Sequence, residues 1–177
     1  MSLLSPSAPD FNDPLGLLAA CHQRILGFCD LLERLGPWID ANGLDKEALD
    51  GARSVMRYFS TAAQLHHDDE ELDLFPLLRD DATLNTLFNR LQQEHRDLER
   101  HWARLAKQLD ALLRHDYDRA AYSAAITPFC AAYRRHIRDE NDTILPWAEE
   151  RLSEEQRMTL GQSMAARRRS GTPIPGQ

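Results

Sequence analysis

The chain has 177 residues, 42% of them apolar and 28% charged, which fits one folded domain with or without tails and excludes wholesale disorder. Its 21 basic and 28 acidic residues leave a net charge of −7, which argues against a general nucleic-acid binder. No apolar run reads as reaching the roughly 18–20 residues of a membrane span, and the start of the chain lacks the basic-then-apolar pattern of a secretory signal.

Residues 1–13 show no periodicity and read as a flexible arm. From residue 14 onward the apolar pattern is helical and no strand is evident. The first helix has an inward seam at Leu15, Leu18, His22, Ile25, Cys29 and Leu32, and Asn42-Gly43 should end it, since both residues tolerate a left-handed cap. The second has its seam at Ala52, Val55, Phe59, Ala62, His66, Glu70 and Asp73, with Pro76 expected to close it. A turn over residues 79–83 leads to a third helix with Leu84, Leu87, Leu91, His95, Leu98, Trp102, Leu105, Leu109 and Leu112. His115-Asp116 separates it from a fourth, with Tyr122, Ile126, Phe129, Tyr133, His136, Glu140, Thr143 and Trp147, expected to close at Pro146. Pro37 and Pro128 sit inside the pattern and predict kinks. Ser153 with Gln156 has the spacing of a capping box, so a short fifth helix should run toward Arg167. Arg167-Arg168-Arg169 then suits the negative end of that helix. The expected architecture is all-α, an up-down-up-down four-helix bundle over residues 14–168 with a short C-terminal helix and a flexible tail over 169–177. Cys21, Cys29 and Cys130 are odd in number and fit no metal knuckle, and they read as reduced thiols in a cytoplasmic protein.

Each of the four seams carries one histidine: His22, His66, His95 and His136. Counted from the turn that joins each consecutive pair of helices, the two histidines lie at nearly equal distances. At 1.5 Å per residue, all four imidazoles should meet in one layer. One buried histidine is ordinarily a hydrogen-bonded core residue. Four in one layer with no partner would leave several polar nitrogens unsatisfied, at about 1–3 kcal/mol each.

The second half of the chain echoes the first. His66-His67-Asp68-Asp69-Glu70-Glu71 with Leu74-Phe75-Pro76 aligns with His136-Ile137-Arg138-Asp139-Glu140-Asn141 and Ile144-Leu145-Pro146. A spacing of four puts Glu70 on the face of His66, and Glu140 on that of His136. His67 and Glu71 are unmatched in the second copy, and His67 reads as a surface residue at the edge of its seam. Two buried carboxylates near each other repel and lose hydration; two dications offset both penalties. Four histidines and two carboxylates suit a pair of metals, each taking two histidines with both glutamates free to bridge. Non-haem iron(II) favours such a set, and zinc or manganese tolerates it.

Those stretches, together with Glu94-His95 and His22 followed by Ile25, resemble the hemerythrin-like, or HHE cation-binding, family over roughly residues 14–168. The resemblance implies a non-haem site for two iron ions held by His22, His66, Glu70, His95, His136 and Glu140. Oxygen-carrying members have a further histidine one turn before the third-helix ligand, where this chain has Leu91. That departure points away from oxygen carriage and toward binding or sensing of oxygen, peroxide or nitric oxide, or iron handling. A peroxidase- or oxidase-type enzyme, with Tyr133 as its candidate proton or redox group, is a second reading, and a metal-free helical interaction module a third. The expected partners are a diatomic or peroxide ligand, with no nucleic acid and no membrane, in a monomer or homodimer. Glu71, Glu94 and Glu99 read either as exposed charges or as groups within reach of the site.

Overall fold

The computed structural model describes residues 10–79 and 84–170. It contains α1 (Pro14–Asn42), α2 (Lys46–Phe59), α3 (Ala62–Asp68), α4 (Phe75–Leu78), α5 (Asn85–Leu113), α6 (Arg119–Asp139), α7 (Leu145–Arg151) and α8 (Glu154–Ser170), with π-helical turns at Asp69–Leu74 and Glu140–Ile144. There is no strand among the described residues, as the periodicity predicts. The first nine residues of the expected arm, positions 80–83 of the expected turn and the tail from 171 lie outside the described residues.

The helix ends follow local chemistry. The Asp13 carboxylate accepts from the Gly16 N–H at 3.0 Å and starts α1. Gly43, at φ 79°, ends it in a backbone region that side-chain-bearing residues avoid. Asp45 caps α2 through the Ala48 N–H at 2.8 Å. Ser153 and Gln156 form the reciprocal box, at 2.9 and 3.2 Å, and α8 runs 17 residues from it, past the expected end near Arg167. Both α1 and α6 continue past their internal prolines, Pro37 and Pro128.

The second expected helix is not continuous. It breaks at Ser60-Thr61, where the Thr61 hydroxyl donates to the Arg57 carbonyl at 2.7 Å and offers the backbone an alternative to the α register. Nor does either late proline close its helix. α4 carries on through Pro76 to Leu78, and α7 through Pro146 to Arg151. A proline in a continuing helix lacks an N–H and crowds the carbonyl four residues back. Here a wider turn precedes each proline: the Phe75 N–H donates to the Glu70 carbonyl and the Leu145 N–H to the Glu140 carbonyl, each five residues back. The π register absorbs the proline and lets the chain run on, and in both turns the carbonyl that accepts the wide bond belongs to the glutamate of the repeat.

α1 packs against α2, α6 and α8, and α5 against α2 and α6. An 18-residue window of α1 reaches a mean hydropathy of 1.3, long and apolar enough by those measures to cross a membrane, contrary to the sequence expectation. Its apolar stripe is also core: Leu18, Ile25, Cys29 and Leu32 are fully buried. The core falls into two apolar clusters. One contains Ile25, Val55, Phe59, Leu98, Leu105 and Phe129; the other contains Leu18, Leu74, Phe75, Phe88, Leu91 and Ile144. In sequence, His22 falls between Leu18 and Ile25, and His95 between Leu91 and Leu98, so a polar layer separates the two clusters.

α8 closes the second cluster with Leu160 and Met164. A Cβ at Gly161 would come 1.9 Å from the Phe11 carbonyl oxygen, so glycine is what lets the N-terminal segment lie directly against α8. Arg167 and Arg168 do more than face a helix end. Arg168 pairs with Asp69 at 2.7 Å, and Arg167 pairs with Asp73 at 2.6 Å and with Asp69 as well. Asp69 is fully buried beside Glu70, so α8 clamps the π turn that carries a site carboxylate.

Candidate metal centre

His22 of α1, His66 of α3, His95 of α5 and His136 of α6 meet in the polar layer with Glu70 and Glu140, and none of the six is more than 1% exposed. The histidines form two edge-to-face pairs: His22 with His66 at 4.8 Å between ring centroids, and His95 with His136 at 4.6 Å. The single layer that the helix lengths predict is what the side chains make.

Each carboxylate turns one oxygen to each pair. Glu70 Oε1 lies 3.3 Å from His22 Nε2 and 3.2 Å from His66 Nε2, while its Oε2 lies 3.5 Å from His95 Nε2. Glu140 Oε2 lies 3.2 Å from His22 Nε2, while its Oε1 lies 3.1 Å from His136 Nε2 and 3.8 Å from His95 Nε2. The donor atoms thus fall into two groups, His22, His66, Glu70 and Glu140 on one side and His95, His136, Glu70 and Glu140 on the other. Glu70 Oε2 and both Glu140 oxygens have no aligned hydrogen-bond partner among the described residues, although imidazole nitrogens stand close by. Buried carboxylate oxygens left in that condition suit a cation better than a hydrogen-bond network.

The outer nitrogens are held. His22 Nδ1–H donates to Asn141 Oδ1 at 2.7 Å, His95 Nδ1–H to Glu71 Oε1 at 2.6 Å, and His136 Nδ1–H to Glu94 Oε2 at 3.0 Å. A proton fixed on Nδ1 leaves Nε2 to present its lone pair inward, the usual support of a metal-bound histidine. His66 Nδ1 is the exception and has no partner among the described residues. The set of four imidazoles and two carboxylates, without a thiolate, fits a divalent cation of the iron, manganese or zinc type.

Electrostatics agree. Burial pushes the His22 imidazole down, but the Glu140 and Glu70 carboxylates outweigh it and raise it to about 10. The same balance, with Glu140, Glu70 and Glu71, raises His95 to about 11, and with Glu140 and Glu94 it raises His136 to about 9. His66 goes the other way, lowered to about 4 chiefly by burial. Burial and mutual repulsion act to raise Glu70, but the histidines around it prevail and hold it below the usual carboxylate range; burial likewise opposes and histidines lower Glu140. Without a cation, about two protons, one on His22 and one shared by His95 and His136 across 2.9 Å, offset the two buried carboxylates.

Sequence reasoning placed these six and missed their supports. Glu71 and Glu94, left ambiguous, and Asn141, set aside as an unmatched position, orient three of the four histidines. The signal available for them is adjacency: each stands next in sequence to a member of the set. His67 is not a surface residue; it is 8% exposed, and its ring stacks on His95 at 4.1 Å and 10°. Tyr133 packs its ring against Phe59 and Phe129, with its hydroxyl 3.4 Å from His67 Nε2. Glu99 makes no close approach to the six; it lines a surface cavity of about 560 Å³ that His67, His95 and Glu71 also line.

A model of the Hemerythrin HHE cation-binding domain matches residues 13–148 of the chain, from the N-cap of α1 into α7. A protein of Haemophilus influenzae, described only as an uncharacterized protein, is 34% identical over 173 residues, which is 95% of this chain and 98% of that protein.

Proposed function

The chain belongs to the hemerythrin HHE cation-binding family, and we propose that it holds two iron ions in its polar layer and there binds or senses oxygen, peroxide or nitric oxide. His22 and His66 would hold one ion, His95 and His136 the other, with Glu70 and Glu140 bridging. The observation that carries this reading is the division of each carboxylate, one oxygen toward each histidine pair. Two ions so placed supply reversible electron transfer and coordination positions for a small ligand. The protein's own part is to fix the donors through Asn141, Glu71 and Glu94, and to keep water out with the two apolar clusters on either side.

The packing of α1 on α2 and α6, and of α5 on α2 and α6, supports an up-down-up-down four-helix bundle within residues 14–168. Three free thiols, two of them buried, suit a reducing, cytoplasmic setting. Elemental analysis and optical spectra test the reading. Two irons per chain and an absorption band that depends on oxygen, peroxide or nitric oxide are the expected result. A purified protein that takes up no transition metal, and whose melting point ignores chelator, overturns it.

A further inference from the structure

Cys29 of α1 and Cys130 of α6 are both fully buried and meet between the two packed helices. The Cys130 Sγ lies 3.7 Å from the Cys29 carbonyl oxygen, and the two thiols also hydrogen-bond each other. That bond first, and burial second, hold the Cys29 thiol well above the usual thiol range. Such a thiol is a poor nucleophile, because the thiolate is the reactive form. A peroxide in solution therefore finds neither access nor a thiolate. What the pair retains is the capacity to give up two electrons.

A run of side chains leads from the pair to the polar layer. Cys29 is seven residues after His22 and Cys130 six before His136, so the thiols lie about 10 Å from the layer at 1.5 Å per residue. Tyr133 stands between, three residues from Cys130 and three from His136. It is buried, and burial, then the nearby Cys29 thiol, hold its hydroxyl well above the usual tyrosine range. That hydroxyl lies 3.4 Å from His67 Nε2, and the His67 ring stacks on His95 at 4.1 Å. Tyr133 and His67 are buried polar groups outside the six donors, and this path gives both a use.

We propose that Cys29 and Cys130 are an internal two-electron donor to the cation centre, oxidised to a disulfide when a peroxide is reduced there, with Tyr133 and His67 as the path between. The proposal rests on the two-iron reading above. With hydrogen peroxide, the S–S bond forms and the O–O bond breaks, and the two thiol hydrogens, with their electrons, end in two molecules of water. An encounter with peroxide is thereby recorded as a covalent link between α1 and α6.

The experiment treats iron-loaded protein with one equivalent of hydrogen peroxide, then unfolds and alkylates it. Of the three free thiols only that of Cys21 should remain, the chain should be two hydrogens lighter, and a peptide joining Cys29 to Cys130 should be recovered. Cys29→Ala and Cys130→Ala should each load iron and form no such link. Tyr133→Phe keeps the ring and should slow the loss of thiols. Zinc-loaded protein, whose ion has no redox chemistry, should keep all three thiols. If the spectrum of the iron-loaded protein responds to peroxide while all three thiols persist, the proposal falls and the two-iron reading stands. A link that forms as fast in cation-free or zinc-loaded protein, or in Tyr133→Phe, likewise overturns the proposal, because the electrons then do not take this path. If the wild-type protein takes up no iron, both fall.

Discussion

Glu71 and Asn141 occupy the same place in the two copies of the repeat, and each holds the Nδ1–H of a histidine on a neighbouring helix: Glu71 that of His95 at 2.6 Å, Asn141 that of His22 at 2.7 Å. The residues differ, but each presents an oxygen acceptor one position after the site glutamate. Replacing Asn141 with alanine leaves His22 free to change tautomer and rotate. Cation affinity should fall by about 10- to 100-fold, read by competition with a chelator of known strength. Glu71→Gln keeps an acceptor for His95 and should lose less than Glu71→Ala. Equal affinities for Asn141→Ala and wild type would remove the orienting role.

Much of this arrangement is written in the spacing. The histidine layer follows from helix lengths, and the pairing of His66 with Glu70 and of His136 with Glu140 follows from a period of four. What escaped was set by contacts between distant parts of the chain. His67 is buried because α5 brings His95 against its ring, which no local pattern encodes. Pro76 and Pro146 read as helix ends because the α register cannot pass them; the π turns that let it do so are a choice of hydrogen-bond partner and have no composition of their own. The arginines near the C-terminus read as a helix-end charge because their partners, Asp69 and Asp73, lie far back in the sequence.

Those arginines carry a stability prediction. Burial raises the Asp69 carboxyl above its usual range, against the lowering pull of Arg168 and Arg167, so its ionised form depends on both. Removing both guanidiniums leaves a fully buried acid without its charged partners. Arg167→Ala with Arg168→Ala should cost about 3–5 kcal/mol in urea unfolding, and each single change less. Because Asp69 precedes Glu70, the double variant should also bind cations more weakly.

The cation-free fold has a pH dependence of its own. His22, His95 and His136 hold protons more tightly folded than unfolded, so their contribution is complete below about pH 6.5 and is lost as pH rises through about 9 to 11. Glu70 and Glu140 are lowered, so theirs is present above about pH 4.5 and is lost below it. His66, lowered to about 4, subtracts stability below about pH 6.5. Chelator-treated protein should therefore melt highest near neutral pH and progressively lower toward pH 11. A melting temperature that is flat from pH 7 to 11 would show that these imidazoles hold no extra protons in the folded state.

The same protons must leave when a cation arrives, because a nitrogen cannot hold both. At pH 7 the site histidines carry about two extra protons, one on His22, raised to about 10, and one shared by His95 and His136, whose Nε2 atoms lie 2.9 Å apart and cannot both bear hydrogen, while His66 at about 4 is already neutral. Filling the centre should release about two protons per chain, and the apparent affinity should rise with pH until about pH 11. Calorimetric titrations with the same cation in buffers of different ionisation enthalpy measure the count directly, as the slope of observed heat against buffer enthalpy. A slope near two at pH 7 is the expected result. A slope near zero means that the buried carboxylates are balanced in some other way, by protons of their own, for instance, and the charge balance described for the empty layer would be wrong. His22→Gln removes one protonated site and should lower the slope by about one. The same change at His66 removes a ligand without a proton and should weaken binding while leaving the slope unchanged, so the two variants separate loss of a donor from loss of a proton.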